Sequence, residues 1–243
     1  MNEQWLMDRL AFFKKYCAPA IAAQVNRNFT WVIYFDQDTP QMVFDQISFL
    51  KEWDIPVEFF LVSDFNHMLN DIRQLFRRSE EPFIISSRLD NDDVLSDQYI
   101  RLVQDAFTPR SNTVINLNAG FVYYMDRQVL TRWRNKFTNQ FSSIIESNTT
   151  DQSTTIYGFP HWKPPPSSMT IAILREAGWM EMVHSGNNRI RKILGIPVFS
   201  KQSLSTFPES IRTIDISSFS TLSYAIRWFP SVIGRRIKSA IRR

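Results

Sequence analysis

Pro82-Phe83-Ile84-Ile85-Ser86-Ser87-Arg88-Leu89-Asp90-Asn91-Asp92-Asp93 decides the reading of this chain. Its apolar opening predicts a short buried strand, which then breaks into three carboxylates within four residues. Crowded anions repel one another and resist desolvation, so something must compensate them. In open α/β sheets, ligands bind just beyond the carboxyl ends of the strands, where this cluster is expected to sit. Hard oxygen donors in this arrangement suit Mg²⁺ or Mn²⁺, ions that commonly bridge one or two carboxylates to substrate phosphates. Simpler roles fit the same residues. Asp92 or Asp93 would cap a helix over Val94–Val103, and Asp90-Asn91 would make a turn. Spacing alone leaves capping and metal binding both open. The missing glycine and distal glutamate argue against a calcium loop.

Upstream, strands and helices alternate. Trp5–Ala23 predicts a helix with Leu6, Leu10, Phe13 and Cys17 on one face, kinked or ended by Pro19. Phe29–Phe35 predicts a strand ending at Asp36, and Thr39-Pro40 starts a helix running to about Trp53. Val57–Val62 predicts a second strand. Ser63-Asp64 then caps a helix with Phe65, Met68, Leu69, Ile72, Leu75 and Phe76 on its apolar face. This alternation indicates an α/β sandwich with a mainly parallel sheet.

Downstream the pattern changes. Thr113–Leu117 and Phe121–Met125 flank Asn118-Ala119-Gly120 and predict a β-hairpin. Polar residues then dominate to about Ser153, with Phe141–Ile145 as the one expected element and Thr154–Tyr157 as a candidate strand. Met182–Leu194 reads as a helix or a turn region. The expected organisation is one domain over residues 1–223 and a basic amphipathic tail over 224–243.

With 243 residues and 44% hydrophobic content the chain can bury a sizeable core, and 20 Phe and 7 Trp argue against disorder. No apolar run approaches the length of a membrane span, and Asp8 and Arg9 interrupt any signal-like start. A single cysteine, Cys17, rules out an intrachain disulfide and fits a reducing, cytoplasmic compartment. The net charge of +4 is unevenly placed. Six basic residues and no acidic one follow from Arg227 onward, leaving 22 basic and 24 acidic residues in the body. No nucleic-acid signature accompanies them. Phe229, Ile233, Ile237 and Ile241 stand four apart between the tail's Arg and Lys residues. Such a helix either packs its stripe on the domain or lies on the anionic inner face of a cell membrane.

Three blocks resemble the putative rhamnosyltransferase family of GT-A-type glycosyltransferases. They are Arg9-Leu10 through Gln24 to Phe29-Thr30-Trp31 and Phe35-Asp36, the central Arg88–Asp93, and Trp179-Met180-Glu181-Met182-Val183-His184-Ser185-Gly186-Asn187. The resemblance covers roughly Trp5–Ile196 and implies a three-layer GT-A-like sandwich with a mixed C-terminal half. It implies that Asp90 and Asp92 form an Asp-x-Asp element holding Mn²⁺ or Mg²⁺ on the donor diphosphate, with Asp93 beside them. Arg88 would lie near the donor phosphates or sugar, and Asp36 would contact the nucleoside, with Asp38 as a weaker candidate. His184 would complete the metal or diphosphate site. His161 would touch donor or acceptor, and His67 reads as structural. The implied reaction moves a sugar, with L-rhamnose from dTDP-rhamnose as the expected donor, to a glycan or lipid-linked acceptor. Inversion at the anomeric carbon would need a general base, for which Glu146 is the candidate and Glu176 and Glu181 are rivals.

The chain departs from the family at one point. Members begin with a strand that helps build the nucleotide pocket, and here only Met1-Asn2-Glu3-Gln4 precedes Trp5. That departure keeps a second reading alive, a non-catalytic relative binding glycan or a partner enzyme. A third, a metal-dependent phosphohydrolase, is weaker, since its nucleophilic Asp would follow a strand near the start.

Overall fold

A computed structural model describes residues 3–134, 138–148, 153–185 and 193–241, with side chains described as far as residue 229. The chain opens on α1 (Glu3–Phe12), passes through a π-helical turn at Phe13–Cys17, and continues as α2 (Ala18–Ala22). The expected single helix therefore holds one widened turn. Pro19 sits in the first turn of α2, where its missing N–H costs little.

Next comes a crossover unit of β1 (Trp31–Asp36), α3 (Gln41–Ile47, extended by a 3-10 segment at Ser48–Glu52) and β2 (Val57–Val62). A helix between two strands lets the second return in the direction of the first. The pairing is accordingly parallel, from Trp31 opposite Val57 to Asp36 opposite Val62. Helix α4 (Phe65–Arg78) begins as expected, with Asp64 Oδ1 accepting from the N–H groups of Asn66 (2.8 Å) and His67 (2.9 Å). His67 Nδ1 accepts from Ser63 N at 3.2 Å, a structural role.

The remaining elements are β3 (Phe83–Ser87), β4 (Val94–Leu95), α5 (Tyr99–Asp105), β5 (Thr113–Tyr124), β6 (Val129–Arg134), β7 (Ser143–Ser147), β8 (Met169–Val183), β9 (Ile196–Val198), α6 (Glu209–Arg212) and α7 (Ser218–Ile241). Seven of the strands form a second sheet in the order β3-β7-β5-β6-β9, with β8 on β5 and β4 on β8. The α/β class holds, but the expectation of a mainly parallel sheet does not. Among the described residues only β1–β2 and β5–β8 run parallel, and every other pair is antiparallel. Link length gives the reason. One helical crossover joins β1 to β2, whereas β5 and β6 are joined through the four residues Met125–Gln128, which permits only antiparallel return.

Two local expectations are corrected. The helix expected over Val94–Val103 starts at Tyr99, because Val94 and Leu95 pair with Met180 and Trp179 of β8. The hairpin expected around Asn118-Ala119-Gly120 is the middle of one twelve-residue strand, buried throughout. Gly120 is there for close approach and not for a turn: a Cβ at that position would stand 2.2 Å from the Trp179 ring. That indole stacks on Phe141 at 4.7 Å and donates to Leu117 O at 2.8 Å. Phe141–Ile145 matches β7 approximately. Thr154–Tyr157 is loop, and residues 186–192 of the Met182–Leu194 stretch lie outside the described residues.

The opening helical run ties the two sheets together. Leu10, Phe13 and Cys17 pack with Val43, Ile47 and Leu50 on the crossover unit. Tyr16 and Ala20 pack with Val94, Met180 and Met182 on the larger sheet. At the other end, α7 begins at Ser218, so the expected boundary at residue 224 falls inside a helix. Thr221 is buried, and Tyr224 Oη donates to Gly195 O at 2.8 Å, which docks the first part of α7 on the sheet. Among the described residues no helix is long and apolar enough to cross a membrane.

Candidate functional site

The acidic run leaves the end of β3 and meets three other parts of the chain. Asp92 is buried, and its Oδ2 lies 2.6 Å from Arg9 Nη1 of α1 and 3.1 Å from His184 Nε2 just past β8. The His184 ring stacks on Phe12 with centroids 4.1 Å apart, so α1 supplies both a charge partner and a ring partner. Asp93, also buried, accepts from Met182 N at 3.1 Å. Burial pushes its carboxyl well above the usual range, and Glu181, Asp92 and Asp90 push it further. Neither Asp92 nor Asp93 caps a helix, so the capping alternative falls.

Asp90 behaves differently. Its carboxyl has no hydrogen-bond or ion-pair partner among the described residues, and solvent reaches it. What desolvation it has, followed by repulsion from Asp92, raises its pKa, while Arg88 and Arg9 pull it back. Arg88 donates from Nε to Gln140 O at 3.2 Å, and its guanidinium stands 5.8 Å from the Tyr157 ring. Burial raises the Tyr157 phenol to about 12, with Asp90 adding to the shift. Cys17 is buried close enough to all three carboxylates for them to add to the rise that burial imposes on its thiol.

The sequence therefore brings Arg88, Asp90, Asp92 and His184 into one neighbourhood. Asp36 stands exposed at the end of β1, its Oδ1 accepting from Asp38 N at 2.9 Å in a tight turn. Phe35 and Leu89, its neighbour and that of Asp90, pack on the same apolar cluster. His161 stands in a loop, edge-on to Trp162 at 4.8 Å, and no described contact ties it to the acidic run.

Glu146 is elsewhere. It pairs with Ile84, three residues before the end of β3, about 10 Å along the strand. Its two oxygens accept from Thr154 N (2.5 Å) and Thr155 N (2.9 Å), and burial raises its carboxyl. Those contacts make it the anchor of a loop in which Thr155 has a φ of 62°. Both oxygens are thereby engaged with the backbone of that loop. Of its rivals, Glu176 is exposed on β8, and Glu181 is the one adjoining the acidic run.

Sequence reasoning missed Arg9, Phe12, Cys17 and Tyr157. Arg9 meets Asp92 across 83 positions of sequence, and no local pattern announces such a pair.

As for a divalent ion, no group of three or more His, Cys, Asp or Glu side chains among the described residues is arranged to hold one. Mg²⁺ often takes only one or two carboxylates and completes its shell from phosphates and water. The partnerless Asp90 beside Asp92 fits that pattern, with Arg9 competing for Asp92.

No curated protein matches the chain. A family model described as putative rhamnosyl transferase matches residues 1–195, and with the acidic run, Arg9 and His184 all inside that span, the chain belongs to this family of glycosyltransferases.

Proposed function

We propose that the protein transfers a sugar, L-rhamnose from dTDP-rhamnose, to a hydroxyl of a glycan or lipid-linked acceptor. One observation carries the reading: a partnerless Asp90 beside an Asp92 clasped by Arg9 and His184, at the carboxyl end of a strand. In this reading Asp90 and Asp92 hold Mn²⁺ or Mg²⁺ against the donor diphosphate, with His184 fixing Asp92 from behind. Such a cation, when bound, offsets the negative charge that grows on the leaving diphosphate. Arg88 binds the donor phosphates, Asp36 the nucleoside, and His161 the sugar or acceptor. The protein works in the cytoplasm at the inner face of the membrane, where α7 rests on anionic lipid.

The test is Asp90→Asn, a surface change that spares the Arg9–Asp92–His184 contacts, compared with Asp92→Asn. Mn²⁺-dependent hydrolysis or transfer is measured over a panel of nucleotide sugars. Activity in the wild type and its loss in Asp90→Asn is the expected result; equal activity in both rejects the metal role. The second reading, a non-catalytic glycan- or partner-binding relative, is favoured by the Arg9 guanidinium and the His184 ring already on Asp92. Folded wild-type protein with Mn²⁺ that binds no nucleotide sugar by calorimetry would favour it.

A further inference from the structure

Beyond the acidic run, β6, β9 and α7 enclose a groove of about 1300 Å³ whose lining includes none of Arg88, Asp90, Asp92 and His184. Arg127, Arg132, Arg134 and Arg227 line it together with Trp133 and Trp228, and Asp126 is the one acidic residue on its wall. None of the four guanidiniums has a carboxylate partner among the described residues. Arg132 and Arg134 each give one Nη2 hydrogen to a β8 carbonyl, of Arg175 at 3.2 Å and of Leu174 at 3.1 Å. Those bonds aim the side chains without neutralising them.

One wall of the groove is α7, which carries a bare apolar stripe. Phe219, Leu222, Ile226 and Phe229, at helical steps of three and four, are exposed by 83%, 53%, 64% and 62%. Phe219 belongs to both stripe and groove. A nucleic acid would satisfy the guanidiniums but leave the stripe in water. A bilayer of anionic lipid satisfies both at once: guanidiniums fork onto phosphate oxygens, tryptophans suit the headgroup level, and the stripe enters the acyl region.

We propose that this groove is a lipid-phosphate site, taking headgroups of an anionic bilayer while the Phe219–Phe229 stripe sinks beside them. The proposal deepens the membrane reading above and rests on it. It also orients the reaction. Leu194, on the groove wall, donates from its N–H to Tyr124 Oη at 3.0 Å, and Tyr124 is the register partner of Val183, next to His184. The lipid surface and the acidic run thus share the ends of β5 and β8.

The test is flotation of the full chain with phosphatidylcholine vesicles, with and without phosphatidylglycerol, on wild type, R132Q/R134Q and R127Q/R227Q. The expected result is about 30-fold weaker partitioning onto the anionic vesicles for each double variant, with unchanged thermal melting and unchanged behaviour on neutral vesicles. F219S/I226S should weaken partitioning onto both. If both arginine variants partition as wild type does while R235Q/R236Q/K238Q loses binding, the groove is overturned and the membrane reading stands. Wild type that ignores both kinds of vesicle overturns both. Inorganic phosphate bound by the wild type without vesicles, and lost in R132Q/R134Q, overturns the choice of lipid as the source of the phosphate.

Discussion

Arg9 Nη1 and Asp92 Oδ2 stand 2.6 Å apart, joining the first helix to the carboxyl end of β3. Removing one partner of a buried pair strands the other charge, at a cost of about 3–5 kcal/mol. Arg9 is 22% exposed and His184 still faces Asp92, so Arg9→Ala should destabilise by about 3 kcal/mol, the low end of that range. Urea unfolding gives the measurement, and an unshifted midpoint would show the pair to be idle.

Asp93 makes stability depend on pH with an unusual sign. Its carboxyl is raised in the folded state, mainly by burial and then by Glu181 and its acidic neighbours. Below the ordinary carboxylate range, about pH 4, folded and unfolded chains both hold the proton. As pH climbs, the unfolded chain releases it while the folded chain keeps it, so stability falls until the raised value is passed. Asp93→Asn keeps an acceptor for Met182 N and removes the penalty. Near neutral pH the variant should melt higher, by about 2–4 °C for each 1 kcal/mol relieved, with the gap closing in acid. A constant gap across the pH series would count against the burial argument.

Gly120→Ala should be costly, because the added methyl meets an indole held by a stack and a hydrogen bond. Overpacking of this kind costs about 1–3 kcal/mol, and a fixed ring puts the change at the upper end. Thermal melting decides it; a melting point equal to wild type would mean that Trp179 can move aside.

Glu146→Ala should loosen the loop at Thr154 and Thr155 by about 1.5–3 kcal/mol, the usual worth of a hydrogen bond to a charged group. Hydrogen exchange at Thr154 and Thr155 reports this directly. Turnover should stay near wild type, whereas loss of a general base costs about 100- to 10,000-fold. A fall of that size would restore Glu146 to the chemistry.

The alternation of β1, α3, β2 and α4 was legible because each element repeats a local signal, a short apolar run or a capped amphipathic stretch. Asp64 is the clearest case, since the cap and the two N–H groups it serves lie within three residues. The acidic run was legible as a cluster, because three carboxylates at a strand end have few innocuous explanations. Strand direction beyond residue 113 was not legible. It depends on pairings such as Ser87 with Ser143 and Ala119 with Arg134, which no window of neighbours encodes. Gly120 misled for a physical reason: glycine serves both tight turns and close packing, and Trp179, which decides between them, is far away in sequence. Arg9 escaped notice in the same way.

The widened turn at Phe13–Cys17 sets the angular phase of the opening helix. Phe12 and Cys17 are five positions apart, and unbroken α geometry would fan them roughly 140° around the axis. A turn closed by i→i+5 bonds swings such residues back toward one line. Phe12 accordingly lies on the His184 ring while Cys17 is buried in the apolar cluster with Val43, Ile47 and Leu50, near enough to the carboxylates to feel their charge. The extra residue works as a vernier, so chain length in this turn is held more tightly than the identity of its exposed side chains. Deleting Lys14 or Lys15 is expected to rotate Arg9 and Phe12 away from Asp92 and the His184 ring.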